Sequence, residues 1–313
     1  MRPFQLLAGP GEVTDAHSLA AAARRAESIG IDVLVVTDHL IDQLAPLAAM
    51  TAAAGATERL RVGTFVFNND LRHPAVLAQE LASIDVLSGG RLQVGIGAGW
   101  NEPEYAAIGL PFEPVRVRQA RLIEAIAVLK GCFADGSSSF VGEHYAIHDY
   151  DARPKPLQRP HPPFLIGGGG RRTLELAARE AQIVGLAPRI LAGQRTDPRS
   201  ITVAGTAEKI GWARDAARER FGDLRLNVYP SGWPVTVTDH PRSVAAQLVD
   251  RFRSRTGIEL TEDEVLDSPH VFVGSIDGLE TKIREQRDRL GIDSIMVGEL
   301  GELDLLVERL AGT

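Results

Sequence analysis

Residues 33–55, VLVVTDHLIDQLAPLAAMTAAAG, hold the pattern that decides the fold. Val33–Val36 is an apolar, mostly β-branched run without polar alternation, which is typical of a strand buried on both faces. Pro46–Gly55 follows as an Ala-rich helix. The same order of strand and helix recurs along the chain, and eight such units predict a single (β/α)8 barrel, also called a TIM barrel. The other predicted strands are residues 4–8, 61–67, 92–96, 164–166, 183–186, 226–229 and 295–297.

The length of 313 residues sets the expected domain organisation. A barrel of this class needs about 250 residues, and the surplus falls in three predicted insertions, after strands 4, 6 and 7. They are residues 134–163, 187–205 and 233–273. None has the length or composition of a separate domain. We therefore predict one barrel domain over residues 1–313.

Composition and charge exclude several classes of partner. Lys and Arg number 34 against 41 for Asp and Glu, a net charge of −7, and no polybasic run is present to neutralise phosphates. Nucleic acid and membrane are therefore not expected as partners, whereas a small-molecule substrate is. Cys132 is the one cysteine, so no intrachain disulfide can form. The apolar run at residues 4–8 is too short for a signal peptide, which predicts a cytoplasmic protein.

Candidate site residues follow the predicted strands, because a barrel builds its active site at the carboxyl ends of its strands. The second strand ends in Thr37-Asp38-His39, and His39 can serve as a general acid or base near neutral pH. The alternative for His39 is a hydrogen-bonded core histidine. After the fourth strand, small Ala98 and Gly99 leave room for a flat ring, followed by Trp100.

The fifth predicted strand ends in four glycines, Gly167, Gly168, Gly169 and Gly170, followed by Arg171. Such a loop at the start of a helix lets backbone N–H groups approach an anion, so it predicts a phosphate site. The alternative is a flexible turn. No spacing of His, Cys or acidic residues favours a metal site, and none is predicted.

These features together resemble the luciferase-like flavin and deazaflavin oxidoreductases, and the resemblance covers nearly the whole chain. Single motifs are modest signals, but their order along the chain is specific to that family. The matching segments are Thr37-Asp38-His39-Leu40, residues 62–66, Arg72-His73-Pro74-Ala75, residues 87–91, residues 95–100, Arg153-Pro154-Lys155-Pro156, residues 162–170 and Val273-Gly274-Ser275.

The resemblance implies a barrel that binds coenzyme F420 or FMN, with His39 transferring a proton near the reactive ring carbon. It implies that Asp38 lies near the ring and that the Phe65–Val66 bond is a non-prolyl cis peptide. One departure is visible: deazaflavin sugar-phosphate dehydrogenases of the family have a catalytic glutamate where this chain has Trp100, so that activity is not expected. The cofactor-binding residues implied are Asp38, Phe65, Val66, Asn68, Ala98, Gly99, Trp100, Gly167, Gly168, Gly169, Gly170 and Arg171.

Coenzyme F420 is expected over FMN, because Asp38-His39 and the run from Asn68 to Pro74 look closer to the deazaflavin branch. The first hypothesis is an oxidoreductase that transfers a hydride between F420 and an unidentified small organic substrate. Its alternatives are an FMN-dependent luciferase-like monooxygenase and a non-catalytic flavin- or deazaflavin-binding barrel. If His39 does not move the proton, Glu102 or solvent is the next candidate. A homodimer through the Ala-rich helices at residues 46–56 and 75–87 is also expected.

Overall fold

The computed structural model describes residues 2–191, 195–231, 233–301 and 303–313. The strands within these ranges are β1 (Gln5–Gly9), β2 (Val33–Val36), β3 (Arg61–Thr64), β4 (Phe67–Asn68), β5 (Leu92–Gly97), β6 (Ser138–Val141), β7 (Ala146–Tyr150), β8 (Phe164–Gly168), β9 (Ile183–Leu186), β10 (Ile190–Leu191), β11 (Arg195–Thr196), β12 (Arg225–Val228), β13 (Thr236–Val237), β14 (Val273–Gly274) and β15 (Ile292–Glu299).

The α-helices in the same ranges include at least one after every barrel strand. They are α1 (Ala16–Ile29), α2 (Pro46–Gly55), α3 (Pro74–Leu87), α4 (Glu102–Ala107), α5 (Val115–Phe133), α6 (Arg171–Glu180), α7 (Val203–Ala217), α8 (Pro241–Thr256), α9 (Glu262–Asp267), α10 (Ile276–Leu290) and α11 (Asp304–Leu310). Short 3-10 helices lie at Asn69–Leu71, Pro198–Ile201 and Arg218–Asp223. In the described residues, no helix is both long enough and apolar enough to cross a bilayer.

The main sheet has the strand order of the predicted barrel. Its order is β3-β2-β1-β15-β12-β9-β8-β5-β4, and β3 also pairs with β5. The third barrel strand is divided into β3 and β4, so these nine segments make up the eight strands of a (β/α)8 barrel. Pairing is parallel, with β2 and β3 in register from Val33 opposite Arg61 to Val36 opposite Thr64. The predicted fold class is therefore confirmed.

The chain divides into two compact units. Unit 1 comprises Met1–Gly11, Ala26–Asp32 and Ile166–Thr313, and unit 2 comprises Glu12–Arg25 and Val33–Leu165. The expected single domain over the whole chain stays a prediction. Within unit 1, β1, β15, β12 and β9 pair in parallel. Residues of the third predicted insertion, together with Ile201 from the second, bury a small core there, formed by Ile201, Ala245, Leu248, Phe252, Leu260, Val265, Val271 and Val273.

Unit 2 contains the division between β3 and β4, which lies at the Phe65–Val66 bond. That bond is a non-prolyl cis peptide, as the family resemblance implied. Gly95 on β5 fits beside it, because an added Cβ would lie 1.9 Å from the carbonyl oxygen of Thr64. The Thr64 hydroxyl donates a hydrogen bond to the Gly95 carbonyl oxygen at 2.7 Å. The sequence predicted one continuous strand over residues 61–67, and this interruption corrects it.

The first two predicted insertions each contain a short antiparallel strand pair. In the first, β6 and β7 form an antiparallel hairpin in which Phe140 lies opposite Ile147. In the second, β10 and β11 pair antiparallel, and residues 192–194 lie outside the described residues. The sequence pattern predicts a helix over residues 207–221, whereas α7 begins at Val203 and ends at Ala217. Its earlier start is explained by the Thr202 hydroxyl, which accepts a hydrogen bond from the Gly205 N–H and caps the helix.

Candidate functional site

His39 lies three residues beyond β2 in unit 2, with its side chain 26% exposed. Its Nδ1 is 2.8 Å from Oε1 of Glu104, whose side chain is 9% exposed. The Gln43 side chain holds the backbone of this segment, because its Nε2 donates to the carbonyl oxygens of Thr37 and His39 at 2.8 and 3.1 Å. The backbone of His39 and one nitrogen of its imidazole are therefore both held by hydrogen bonds.

The indole ring of Trp100 lies beside His39. The two ring centroids are 5.7 Å apart and the rings meet edge to face at 81°. Trp100 is 52% exposed, so about half of its side-chain surface is open to solvent. An exposed aromatic ring next to a partly exposed imidazole is a surface on which a planar ligand can stack.

Asp38 is buried and already paired. Its Oδ2 accepts hydrogen bonds from Nη1 of Arg72 at 2.6 Å and from the Asn68 N–H at 3.0 Å. Its Oδ1 accepts from Nη2 of Arg72 at 3.0 Å. This bidentate pair fixes the segment after β4, with the Arg72 guanidinium over the Phe67 ring at 5.3 Å. Direct cofactor binding by Asp38 stays a prediction; its observed contacts are to the protein.

Asn68 belongs to a second network, centred on Tyr105. The Tyr105 hydroxyl lies 3.0 Å from both Asn68 Oδ1 and Asp70 Oδ2, and these two acceptors share its single hydrogen. Burial, together with the nearby Asp70 charge, raises the pKa of Tyr105 to about 12. Arg121 donates to both carboxylate oxygens of Asp70, from Nε at 3.0 Å and from Nη2 at 2.9 Å. Tyr105 therefore anchors α4, the helix that carries Glu104.

The structure gives a different reason for the small residues after β5. Gly99 has a φ of +75°, and a Cβ there would lie 2.0 Å from the Tyr105 hydroxyl. Tyr105 and Asn68, rather than an open space for a ring, thus require glycine at this position. Arg118 stacks 4.1 Å from the Phe112 ring centroid and donates to the carbonyl oxygens of Ala98 and Gly99.

The hairpin of β6 and β7 brings Tyr145 to the same part of unit 2. Its ring lies edge to face with His73, with centroids 5.5 Å apart, and its hydroxyl accepts a hydrogen bond from Nδ2 of Asn69 at 3.4 Å. The Glu124 carboxylate fixes the turn between β6 and β7. It accepts three hydrogen bonds, at 2.8 to 3.1 Å, from the backbone N–H groups of Glu143, His144 and Tyr145.

The glycine loop belongs to unit 1, and its four glycines differ in their surroundings. A Cβ on Gly169 would lie 2.0 Å from the Pro188 carbonyl oxygen, and one on Gly168 would lie 2.5 Å from Cγ2 of Thr173. Gly167 and Gly170 have open space where a Cβ would point. Two of the glycines thus serve close packing, and two have open space where a side chain would point.

Gly170 is the N-cap of α6 and gives that helix no side-chain cap. The first N–H groups of a helix have no partner within the helix and carry a partial positive charge. Arg171 is exposed, and its Nε donates to Glu175 one turn later at 2.7 Å. The phosphate role predicted for Gly167, Gly168, Gly169, Gly170 and Arg171 stays a prediction that this geometry permits.

Within unit 2 the structure brings together most of the predicted residues: Asp38, His39, Asn68, Gly99 and Trp100 share contacts or a common network. Sequence reasoning missed Glu104 and named Glu102 instead, which is exposed. The sequence signal for Glu104 was the neighbouring aromatic residue Tyr105. The structure shows that Tyr105 is buried, which marks this part of α4 as facing inward. In the described part of the chain, no group of three or more His, Cys, Asp or Glu side chains could hold a metal ion.

Comparison with known proteins shows two kinds of relative. The chain is 40% identical over 128 residues to the FMNH(2)-dependent dimethylsulfone monooxygenase of Pseudomonas putida, which covers 41% of this chain and 35% of that protein. It is 34% identical over 161 residues to the F420-dependent glucose-6-phosphate dehydrogenase of Amycolatopsis mediterranei (strain U-32), which covers 49% of this chain and 48% of that protein. The matches thus span less than half the length of these relatives.

The fold is shared with solved structures. The coenzyme F420 dependent tetrahydromethanopterin reductase from Methanopyrus kandleri aligns over 100% of this chain and 98% of its own, with a TM-score of 0.76 and 19% identity. That likeness shows the barrel fold alone. The model of the luciferase-like monooxygenase family matches residues 2–196. Because this match covers more than half of the chain, the chain belongs to the luciferase-like monooxygenase family.

Proposed function

We propose that this chain is an oxidoreductase that transfers a hydride between coenzyme F420 and a small organic substrate, with His39 moving the accompanying proton. The observation that carries the proposal is the partly exposed imidazole of His39, held by Glu104 and next to the exposed Trp100 ring. An F420-dependent dehydrogenase among the relatives supports the choice of cofactor.

The residues of each unit fit a planar cofactor that carries a phosphate. In unit 2, the Trp100 ring offers a face for stacking beside His39. In unit 1, the start of α6 without a side-chain cap and the side-chain-free space at Gly170 suit a phosphate group. When bound, the deazaflavin would supply the hydride acceptor or donor.

His39 has the chemistry to move the proton that accompanies hydride transfer. Oxidation of an alcohol requires loss of the hydroxyl proton, and the reverse reduction requires its return. Nε2 of His39 can accept or donate that proton, because Nδ1 is occupied by Glu104. General acid or base help of this kind contributes roughly 10²-fold or more to turnover.

The test separates binding from chemistry with His39→Asn. The Asn amide nitrogen can replace Nδ1 as donor to Glu104, whereas nothing replaces Nε2. We expect F420 affinity within about threefold of wild type and turnover lowered by roughly 10²-fold or more across a panel of alcohols and carbonyl compounds. Unchanged turnover would contradict the assignment of His39. Loss of F420 affinity in proportion to activity would show that His39 positions the ring instead.

The second candidate function is an FMN-dependent monooxygenase, which the FMNH(2)-dependent relative supports. It predicts a yellow protein that consumes O₂ when FMN is supplied together with a flavin reductase. A non-catalytic binding barrel predicts tight cofactor binding, no turnover across the panel and no effect of His39→Asn on any measured quantity. The cytoplasmic location stays an expectation.

The homodimer is likewise a proposal, supported by an apolar groove in unit 2. Helices α2 and α3 line it with small and aliphatic side chains, and Leu87 at its edge is 69% exposed. A second copy of the chain could cover this face by isologous packing. The residues lining the groove are Leu47, Ala48, Thr51, Ala52, Glu80, Ser83, Ile84 and Leu87.

A further inference from the structure

We infer that Glu104 is the positioning residue that holds His39 in one tautomer, so that Nε2 is the atom that exchanges the substrate proton. The inference rests on the proposed function, because it assigns a role beside His39 in the same reaction. Glu104 need not touch substrate or cofactor for this role, since it acts through the imidazole.

The tautomer follows from the chemistry of the two groups. An ionised carboxylate has no hydrogen to donate and can only accept. Since Glu104 Oε1 is 2.8 Å from Nδ1, the shared hydrogen belongs to Nδ1 of His39. A neutral imidazole carries one hydrogen. Nε2 therefore keeps a lone pair, which is the form needed to accept a proton.

The position of Glu104 is fixed from both sides. Its own backbone N–H donates to the Asn101 carbonyl oxygen at 3.1 Å, at the start of α4. The next residue, Tyr105, is 1% exposed and bonds Asn68 and Asp70 through its hydroxyl. The carboxylate is thus delivered to His39 by a helix that is itself anchored, which is how a supporting residue keeps a catalytic group in place.

The burial of Glu104 makes the arrangement effective. With only 9% of the Glu104 side chain exposed, water competes weakly for its oxygens, and its interaction with a positive imidazole is stronger than that of a surface pair. When Nε2 accepts the substrate proton, both protons reside on the imidazolium, and the Glu104 charge stabilises it. In the reverse direction, Nε2 returns that proton and Nδ1 keeps its own.

The substitution Glu104→Gln tests this role, because a Gln side chain of similar size can donate its amide hydrogen to Nδ1 and so favour the wrong tautomer. Glu285→Gln is the matched control, since Glu285 is an exposed helical glutamate on α10. We expect Glu104→Gln to lower kcat by roughly 10²-fold with KM and F420 affinity within about threefold of wild type. Glu104→Asp should restore part of kcat, and Glu285→Gln should change nothing.

A direct reading comes from nitrogen NMR of protein labelled with ¹⁵N-histidine, with the His39 signals assigned from His39→Asn. Where the nitrogen shifts show a neutral ring, we expect wild-type His39 to carry its hydrogen on Nδ1 and Glu104→Gln to move it to Nε2. A wild-type His39 protonated at Nε2 would overturn the inference without any variant. So would a Glu104→Gln enzyme with wild-type kcat.

The two proposals fail in distinguishable ways. If His39→Asn lowers turnover but Glu104→Gln does not, the proposed function stands and the role of Glu104 is wrong. If His39→Asn leaves turnover unchanged, the proposed role of His39 is wrong, and that of Glu104 is overturned with it.

Discussion

Replacing Asp38 with Asn should destabilise the fold more than it weakens cofactor binding. The Asp38 carboxylate is 3% exposed and accepts three hydrogen bonds, two from Arg72 and one from the Asn68 N–H. Removing one partner of a buried ion pair costs about 3 to 5 kcal/mol. Since the Arg72 side chain is 23% exposed, water can solvate part of the released charge, so we expect about 3 kcal/mol.

Urea unfolding at constant pH, followed by circular dichroism, measures this cost. Asp42→Asn is the matched control, because Asp42 lies in the same segment and is exposed; it should change the free energy of unfolding by less than about 0.5 kcal/mol. A double-mutant cycle with Arg72→Met should give a coupling of about 2 kcal/mol, within the range for directly bonded residues. A loss below about 1 kcal/mol for Asp38→Asn, with F420 affinity reduced tenfold, would show instead that Asp38 is a cofactor ligand.

Three further outcomes are expected. Gly170→Asp should weaken FMN binding about tenfold relative to the control Gly170→Asn, because both side chains can cap α6 but only Asp repels a phosphate. Fluorescence titration measures both affinities. Riboflavin lacks the phosphate, so its affinity should not differ between the two variants. Burial lowers the pKa of Lys209 and of Lys282 to about 7 from 10.5. Between these two pH values the unfolded chain binds more protons than the folded chain. The free energy of unfolding should therefore rise with pH from about 7 to 10. Replacing Lys282 with Met should flatten that rise in urea titrations, and an unchanged slope would contradict the lowered pKa. Sedimentation should show a dimer, and only a 33.7 kDa species at micromolar concentration would contradict the proposed pairing through α2 and α3.

The barrel could be predicted from sequence because its signals are local. The bounds of β2 and α2 match the predicted ones, since each element shows its own pattern and its own end signals. The placement of His39 beyond β2 follows from the same pattern together with the rule for strand ends. The position of the cis peptide came from family resemblance, because nothing in residues 61–67 departs from the pattern of an ordinary strand.

The contacts of the site could not be predicted, because they join residues far apart in the chain. Glu104 follows His39 by 65 residues, and Arg72 follows Asp38 by 34. A list of polar residues at strand ends does not say which carboxylate reaches which base. The same limit explains Gly99, whose neighbour Tyr105 lies on a helix that the sequence analysis did not predict.

The most direct test of the central claim is an equilibrium titration of the purified protein with F420 and, separately, with FMN. The account predicts saturable binding of F420 that is tighter than binding of FMN by about tenfold or more. It further predicts that His39→Asn preserves F420 binding while turnover falls. Tighter binding of FMN would favour the monooxygenase, and no saturable binding of either cofactor would contradict the account as a whole.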